Sequence, residues 1–160
     1  MNKIIENLNW RYAAKAFDTS KKVSKEDLDT IIEAFRLTPS SFGLQPWKLV
    51  VVQDQSVKDT LVEHSWGQQH ISNCSDLLVL ARKNNFWDKE IEDYIGDIVK
   101  TRWGTKEDLL WYENMMKWAL SQMDEKQKEA WMDKQVYIAL WNLMTVCADM
   151  RIDSCPVEGF

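Results

Sequence analysis

The sequence predicts an α+β chain in which helices outnumber strands. Two short, continuous apolar runs, within residues 47–53 and 77–81, have the length and flanks of buried strands. Most of the remaining chain repeats apolar residues at helical spacing. Gly 5 and Pro 3 are too few for a many-turned all-β fold or for flexible linkers.

In order, residues 4–10 form a short first helix. Ser24 caps the second, with Asp27 three residues on in the capping-box position and Leu28, Ile31, Ile32 and Phe35 as its apolar stripe. Pro39 stops it. Residues 40–46, Ser-Ser-Phe-Gly-Leu-Gln-Pro, are a loop by their Ser, Gly and Pro content. The first strand takes residues 47–53, and a short helix follows over 56–63. Residues 66–70 are polar and loop-like, and the second buried strand is 77–81. Residues 86–103 and 108–123 are helical. A long helix covers 125–150, and its second half is apolar on most sides, as in a helix buried on all faces or in a subunit interface. Residues 155–160 make a turn. A two-stranded sheet is marginal, so a further strand is expected after Phe160.

The 160 residues suggest one domain, long enough to bury a core without disulfide or metal staples. A net charge of -5 argues against nonspecific nucleic-acid binding, which needs clustered Lys and Arg. Cys74, Cys147 and Cys155 are scattered and show no metal-ligand spacing, so reduced thiols in a cytoplasmic protein are expected. No secretory signal opens the sequence. The most apolar stretch, 136–148, is broken by Asn142 and Thr145, so it reads as a buried helix and not a membrane span. The 9 Trp residues are mostly expected in the core, and some of them are candidates to wall a site for a flat aromatic ligand.

Several residues carry candidate chemistry. Arg11 and Lys15 could grip a phosphate or an electron-rich ring edge, or simply form a solvated cationic surface. Ser40, Ser41 and Gln45 suit the orientation of a polar ligand, or a turn with self-bonded Ser. Gln68 and Gln69 both donate and accept, which suits a pyrimidine-like edge. His64 and His70 lack a zinc pattern, and no triad or phosphate-binding glycine motif is present, so no metal is expected. Gly159 could let backbone N–H groups approach a ligand closely.

Taken in order, these residues resemble a family. Arg11-Tyr12-Ala13-Ala14-Lys15-Ala16-Phe17-Asp18 resembles the opening motif of the nitroreductase family, and Pro39-Ser40-Ser41-Phe42-Gly43-Leu44-Gln45-Pro46-Trp47 is similar to its Pro-Ser-Ser…Gln-Pro-Trp loop, the most specific match. Lys134-Gln135-Val136-Tyr137 and Pro156-Val157-Glu158-Gly159-Phe160 resemble its later helix and its Glu-Gly-Phe turn. The resemblance runs from Trp10 to Phe160 and is nearest to the oxygen-insensitive NAD(P)H nitroreductase and dihydropteridine reductase branch.

The resemblance implies an α+β nitroreductase-like fold, with a central mixed sheet flanked by helices, and an intertwined homodimer with FMN at its interface. Hydride would pass from NAD(P)H through the flavin to a nitroaromatic, quinone or related acceptor. Arg11 would meet the FMN phosphate, with Tyr12 and Ala13 beside it, and Lys15 would reach the N1/O2 edge of the ring. Ser40 and Ser41 would approach from the second subunit. Pro156, Val157, Glu158 and Gly159 would lie along one flavin face. One or more of Trp66, Trp103, Trp111 and Trp118 would wall the acceptor pocket. Three departures stand out. Ala13 replaces the usual Ser. Gly67 and His70 stand where many relatives carry Asn and Lys or Gln, so Gln68 or Gln69 would take over the pyrimidine edge. The family continues past the Glu-Gly-Phe turn with a strand, an arm and further cations, so the resemblance leads us to expect that 1–160 is a single domain incomplete at its C-terminus. The rival reading is a non-catalytic flavin-binding or partner-binding module on the same fold.

Overall fold

The computed structural model describes residues 2–102 and 104–160. The elements run α1 (Lys3–Trp10), α2 (Lys25–Arg36), β1 (Trp47–Val52), α3 (Gln55–Glu63), α4 (His70–Asn73), β2 (Leu77–Arg82), α5 (Asp88–Thr101), α6 (Lys106–Ser121) and α7 (Glu125–Asp149). A single turn of 3₁₀ helix, Ser41–Gly43, interrupts the loop before β1. This is the α+β architecture expected from the sequence.

Local chemistry sets the helix starts. The Asn2 side chain accepts from the Ile4 N–H to open α1, and the Ser24 side chain accepts from the Asp27 N–H to open α2. The Ser24 hydroxyl in turn donates to the Asp27 carboxylate at 2.8 Å. Asp54 caps α3, and Thr105 with Asp108 forms a full capping box at α6. That box starts α6 at Lys106, two residues before its predicted start at 108.

β1 and β2 form a two-stranded sheet. The Lys83 N–H, just past β2, donates to the Pro46 carbonyl, just before β1, so the strands run antiparallel. Both strands were expected to be buried. Instead β2 is half-buried throughout and Val50 of β1 is half exposed, because each strand is an edge. Ala13 and Ser154 add an isolated parallel bridge.

The chain groups into two compact units. The first comprises residues 1–38, 49–81 and 139–160. Its buried residues include Leu28, Ile31 and Phe35 of α2, Ile71 of α4, and Ala139, Leu143 and Cys147 of α7. Asn142, which interrupts the apolar run of α7, donates to the Thr38 hydroxyl at 2.8 Å and the Ala34 carbonyl at 3.2 Å, satisfying the end of α2. Lys58 is buried and donates to the carbonyls of Cys74 at 2.6 Å and Ser75 at 3.1 Å.

The second unit comprises residues 39–48 and 82–138. Its core cluster is Leu44, Phe86, Ile91, Ile95, Met116, Leu120 and Met132. Arg82 reaches Glu129 and Asp133, each at 3.1 Å.

Of the two alternatives for the second half of α7, burial on all faces within this chain is not met: Tyr137, Ile138 and Trp141 are exposed. One packing expectation is corrected. Most Trp are not core: among the described Trp residues Trp47 alone is buried, and Trp131 is half-buried. Hydropathy tells which groups favour leaving water, but another surface must exist to cover them. No helix among the described residues is long and apolar enough to cross a membrane.

Candidate functional site

In the first unit, residues from opposite ends of the chain converge. After α1 the chain turns extended at Arg11 (φ -67, ψ 131). At the other end α7 stops when Arg151 adopts a left-handed conformation (φ 59), and the Ile152 N–H donates back to the Cys147 carbonyl at 2.9 Å. The reversed chain then runs alongside the first segment, where Ser154 pairs in parallel with Ala13. That bridge sets Ala13 beside Ser154 and brings Lys15 to Cys155.

Lys15 Nζ lies 3.3 Å from Cys155 Sγ, and the same sulfur lies 3.7 Å from His70 Nε2. His70 is buried at the start of α4. Burial, with the Lys15 ammonium as a second cause, holds His70 below the ordinary imidazole value and favours its neutral form. The Arg11 guanidinium carbon sits 6.0 Å from the centre of the Trp141 ring. Among the described residues neither Arg11 nor Lys15 pairs with a carboxylate, whereas Arg82 meets two and so does Lys117. Ser154 Oγ is buried and has no hydrogen-bond partner.

The turn residues Pro156, Val157 and Glu158 follow directly, and Gly159 is buried. A Cβ placed on Gly159 would come within 2.5 Å of the Trp66 ring, so this position must be Gly while that ring lies on its backbone. Trp66 itself is 84% exposed and Tyr12 is exposed. Gln68 is half-buried, and its N–H donates to the Ser65 carbonyl at 3.1 Å.

Ser40 and Ser41 belong to the second unit. The Ser40 hydroxyl accepts from the Gln45 N–H at 2.8 Å, the self-bonded turn expected of such a loop. The Ser41 N–H donates to Gln135 Oε1 at 2.8 Å. Gly43 (φ +76) faces Tyr94, whose hydroxyl would collide with any Cβ there. Trp111 and Trp118 are exposed on α6, and Trp103 lies outside the described residues.

Three residues of this arrangement had no assigned role in the sequence. Cys155 was read only as one of three scattered thiols. Ser154 carries no local signal, since its pairing with Ala13 is made by topology. Gln135 stood within the Lys134–Tyr137 motif of the resemblance, but no role was assigned to its side chain.

The residues brought together describe a class of site before any name: two cations without carboxylate partners, an unpartnered hydroxyl and close-approach backbone, suited to an anionic, electron-rich ligand. The family model described as the nitroreductase family matches residues 8–160. A Staphylococcus aureus (strain USA300) protein named "Putative NAD(P)H nitroreductase" is 42% identical over 166 residues, an alignment covering 98% of this chain and 72% of that one. A Bacillus subtilis protein of the same description, YfkO, is 40% identical over 171 residues, covering 98% of this chain and 74% of its own. Among solved structures, a Bacillus subtilis protein named "putative nitroreductase ydfN" superposes with a TM-score of 0.89 at 24% identity, over 99% of this chain and 76% of that one. A nitroreductase from Exiguobacterium sibiricum, solved in complex with FMN, superposes with a TM-score of 0.83 at 20% identity, over 98% of this chain and 75% of its own. The chain belongs to the nitroreductase family and is, by that membership, an oxidoreductase.

Proposed function

We propose that the protein is an FMN-dependent NAD(P)H oxidoreductase acting on nitroaromatic, quinone or related small-molecule acceptors, as a homodimer in the cytoplasm. The observation that carries this reading is the meeting of the two chain segments: Ala13 bridges Ser154, and Lys15, which like Arg11 has no carboxylate partner among the described residues, lies against Cys155. Two relatives named for NAD(P)H nitroreductase and a structural neighbour holding FMN support it.

The residues present fit the cofactor. FMN combines a phosphate dianion with a flat ring whose reduced form carries negative charge at one edge, and the site offers two cations and an unpartnered buried hydroxyl. Bound FMN would supply the redox chemistry, accepting hydride from NAD(P)H and passing electrons to the acceptor. Arg11 holds the phosphate, with Tyr12 and Ala13 beside it. Lys15 favours negative charge at the ring edge by electrostatic preorganisation. Gly159 lets its backbone approach the ring face, with Pro156, Val157 and Glu158 alongside. Gln68 and His70 serve the pyrimidine edge, and Ser40 and Ser41 approach the flavin from the second subunit. Trp66, Trp111 and Trp118 supply exposed aromatic surface for a flat acceptor. The exposed Tyr137, Ile138 and Trp141 of α7 favour an apolar subunit interface.

The roles of the two cations are separable. Arg11→Ala is expected to weaken FMN binding about ten- to a hundredfold, the loss of one charge-assisted contact, with little change in the potential of the flavin that remains bound. Lys15→Ala is expected to lower that potential and slow reduction by NAD(P)H more than it weakens binding. The tests are FMN fluorescence titration, anaerobic photoreduction against reference dyes, and bleaching by NADPH. Equal effects of the two substitutions would remove the role assignment, and a yellow protein that never bleaches would favour a binding module over an enzyme.

A further inference from the structure

The polar atoms buried in the first unit are accounted for by protein partners, with Asn7 Oδ1 and Ser154 Oγ as the exceptions among the described residues. Asn7 still donates through its amide to Asp149 at 2.7 Å. Ser154 differs, because its hydroxyl is the whole of its side-chain hydrogen-bonding capacity. A buried hydroxyl without a partner costs ~1–3 kcal/mol, a cost removed when a ligand completes the bond.

The place of this hydroxyl in the fold identifies the ligand. Ser154 is bridged in parallel to Ala13. Ala13 lies two residues from Arg11 on one side and two from Lys15 on the other. The next residue, Cys155, touches Lys15 through its sulfur at 3.3 Å. Ala13 offers only a methyl group, so nothing on its side chain can bond a ligand held between the two cations. Residues paired across a bridge project their side chains from the same side of the ladder. A hydroxyl at either position therefore addresses the same space.

We propose that Ser154 is a ligand-contact residue whose hydroxyl donates to an acceptor oxygen of bound FMN, supplying across the bridge the donor that Ala13 lacks. This rests on the flavin reading above. Two groups share the required chemistry, the terminal oxygens of the phosphate and the carbonyl oxygens on the pyrimidine edge of the ring. Riboflavin, which has the ring and no phosphate, tells them apart.

The test titrates wild type, Ser154→Ala, Ala13→Ser and the Ala13→Ser/Ser154→Ala double variant with FMN and with riboflavin, followed by flavin fluorescence, and records the flavin-free melting temperature of each. Ser154→Ala is expected to raise the FMN dissociation constant about ten- to a hundredfold if the acceptor is the charged phosphate, and about two- to tenfold if it is a neutral ring oxygen. Its flavin-free melting temperature is expected to stay level or rise, because the substitution removes an unsatisfied buried hydroxyl. The double variant is expected to recover most of the affinity. A loss confined to FMN assigns the phosphate oxygen, and an equal loss with riboflavin assigns the ring oxygen. Unchanged FMN affinity in Ser154→Ala overturns the assignment while leaving the flavin reading intact. A lowered flavin-free melting temperature makes the hydroxyl structural and overturns it as well. Failure of Ala13→Ser to restore binding overturns the shared position. A wild-type protein that takes up no flavin overturns the function from which the inference starts.

Discussion

Gln135 offers a clean perturbation, because one buried side chain holds the Ser40–Ser41 loop. It is 5% exposed, its Oε1 accepts from the Ser41 N–H at 2.8 Å, and its Nε2 donates to the Trp131 carbonyl at 3.1 Å. Gln135→Met keeps nearly the same volume and removes both bonds. The Trp131 carbonyl is in the interior of α7 and keeps its helical bond, so little is lost there. The Ser41 N–H loses its acceptor, and leaving such a donor unsatisfied costs ~1–3 kcal/mol. At ~2–4 °C per kcal/mol for a chain of this size, the melting temperature should fall by about 3–10 °C. Gln135→Ala adds a cavity and should fall further. Circular-dichroism melts measure the global change, and amide hydrogen exchange at Ser41 reads the local one, which should speed up in Gln135→Met. A Gln135→Met protein that melts within a degree of wild type, with Ser41 protection unchanged, would refute the reasoning.

Two further outcomes follow from the titrating groups. His70 binds its proton less tightly in the folded chain than in the unfolded one, through burial first and Lys15 second. Its contribution to stability is therefore complete above the ordinary imidazole value of 6.5 and is lost as pH falls through the lower folded value. Urea midpoints should drop between pH 7 and 5.5, and His70→Gln should flatten that slope; an unaltered slope in the variant would rule His70 out. The thiols should separate by reactivity. Burial pushes Cys147 up to about 11 and also raises Cys74, while Cys155 is partly exposed beside the Lys15 ammonium. Timed iodoacetamide labelling read by mass spectrometry should give Cys155 first and Cys147 last, and early modification of Cys147 would contradict the packing of α7.

Where the sequence was legible, a local chemical reason wrote it. Ser24 with Asp27, and the apolar residues Leu28, Ile31 and Phe35 behind them, specify α2 almost to the residue because capping and periodicity are short-range. The strands came within one residue of their observed bounds for the same reason. What went wrong needed knowledge of neighbours. Residues 136–148 are apolar enough to be enclosed, yet Ile138 and Trp141 are exposed, since hydropathy does not say whether a covering surface exists. Lys58 makes the opposite point. A lysine reads as surface, but its ammonium is buried because two carbonyls at the α4–β2 junction await it.

The candidate site divides along the same line. The Arg11–Lys15 and Pro156–Gly159 motifs are contiguous, so both could be found by reading. Their meeting could not, because it depends on α7 ending in the left-handed turn at Arg151 and on the parallel register of Ala13 with Ser154. Neither condition is visible in the residues it joins. The electrostatic consequence was equally hidden. From the sequence, Arg11 and Lys15 could equally have formed a solvated cationic surface, and other lysines of the chain do pair with carboxylates, Lys25 with Asp29 and Lys89 with Asp93. Instead one lies over an indole ring and the other against a thiol, partners that hold a cation in place without cancelling its charge. Positive charge fixed this way, beside a hydroxyl that the protein itself leaves unbonded, remains available to an anion, and that availability separates a binding site from a salt-bridged surface.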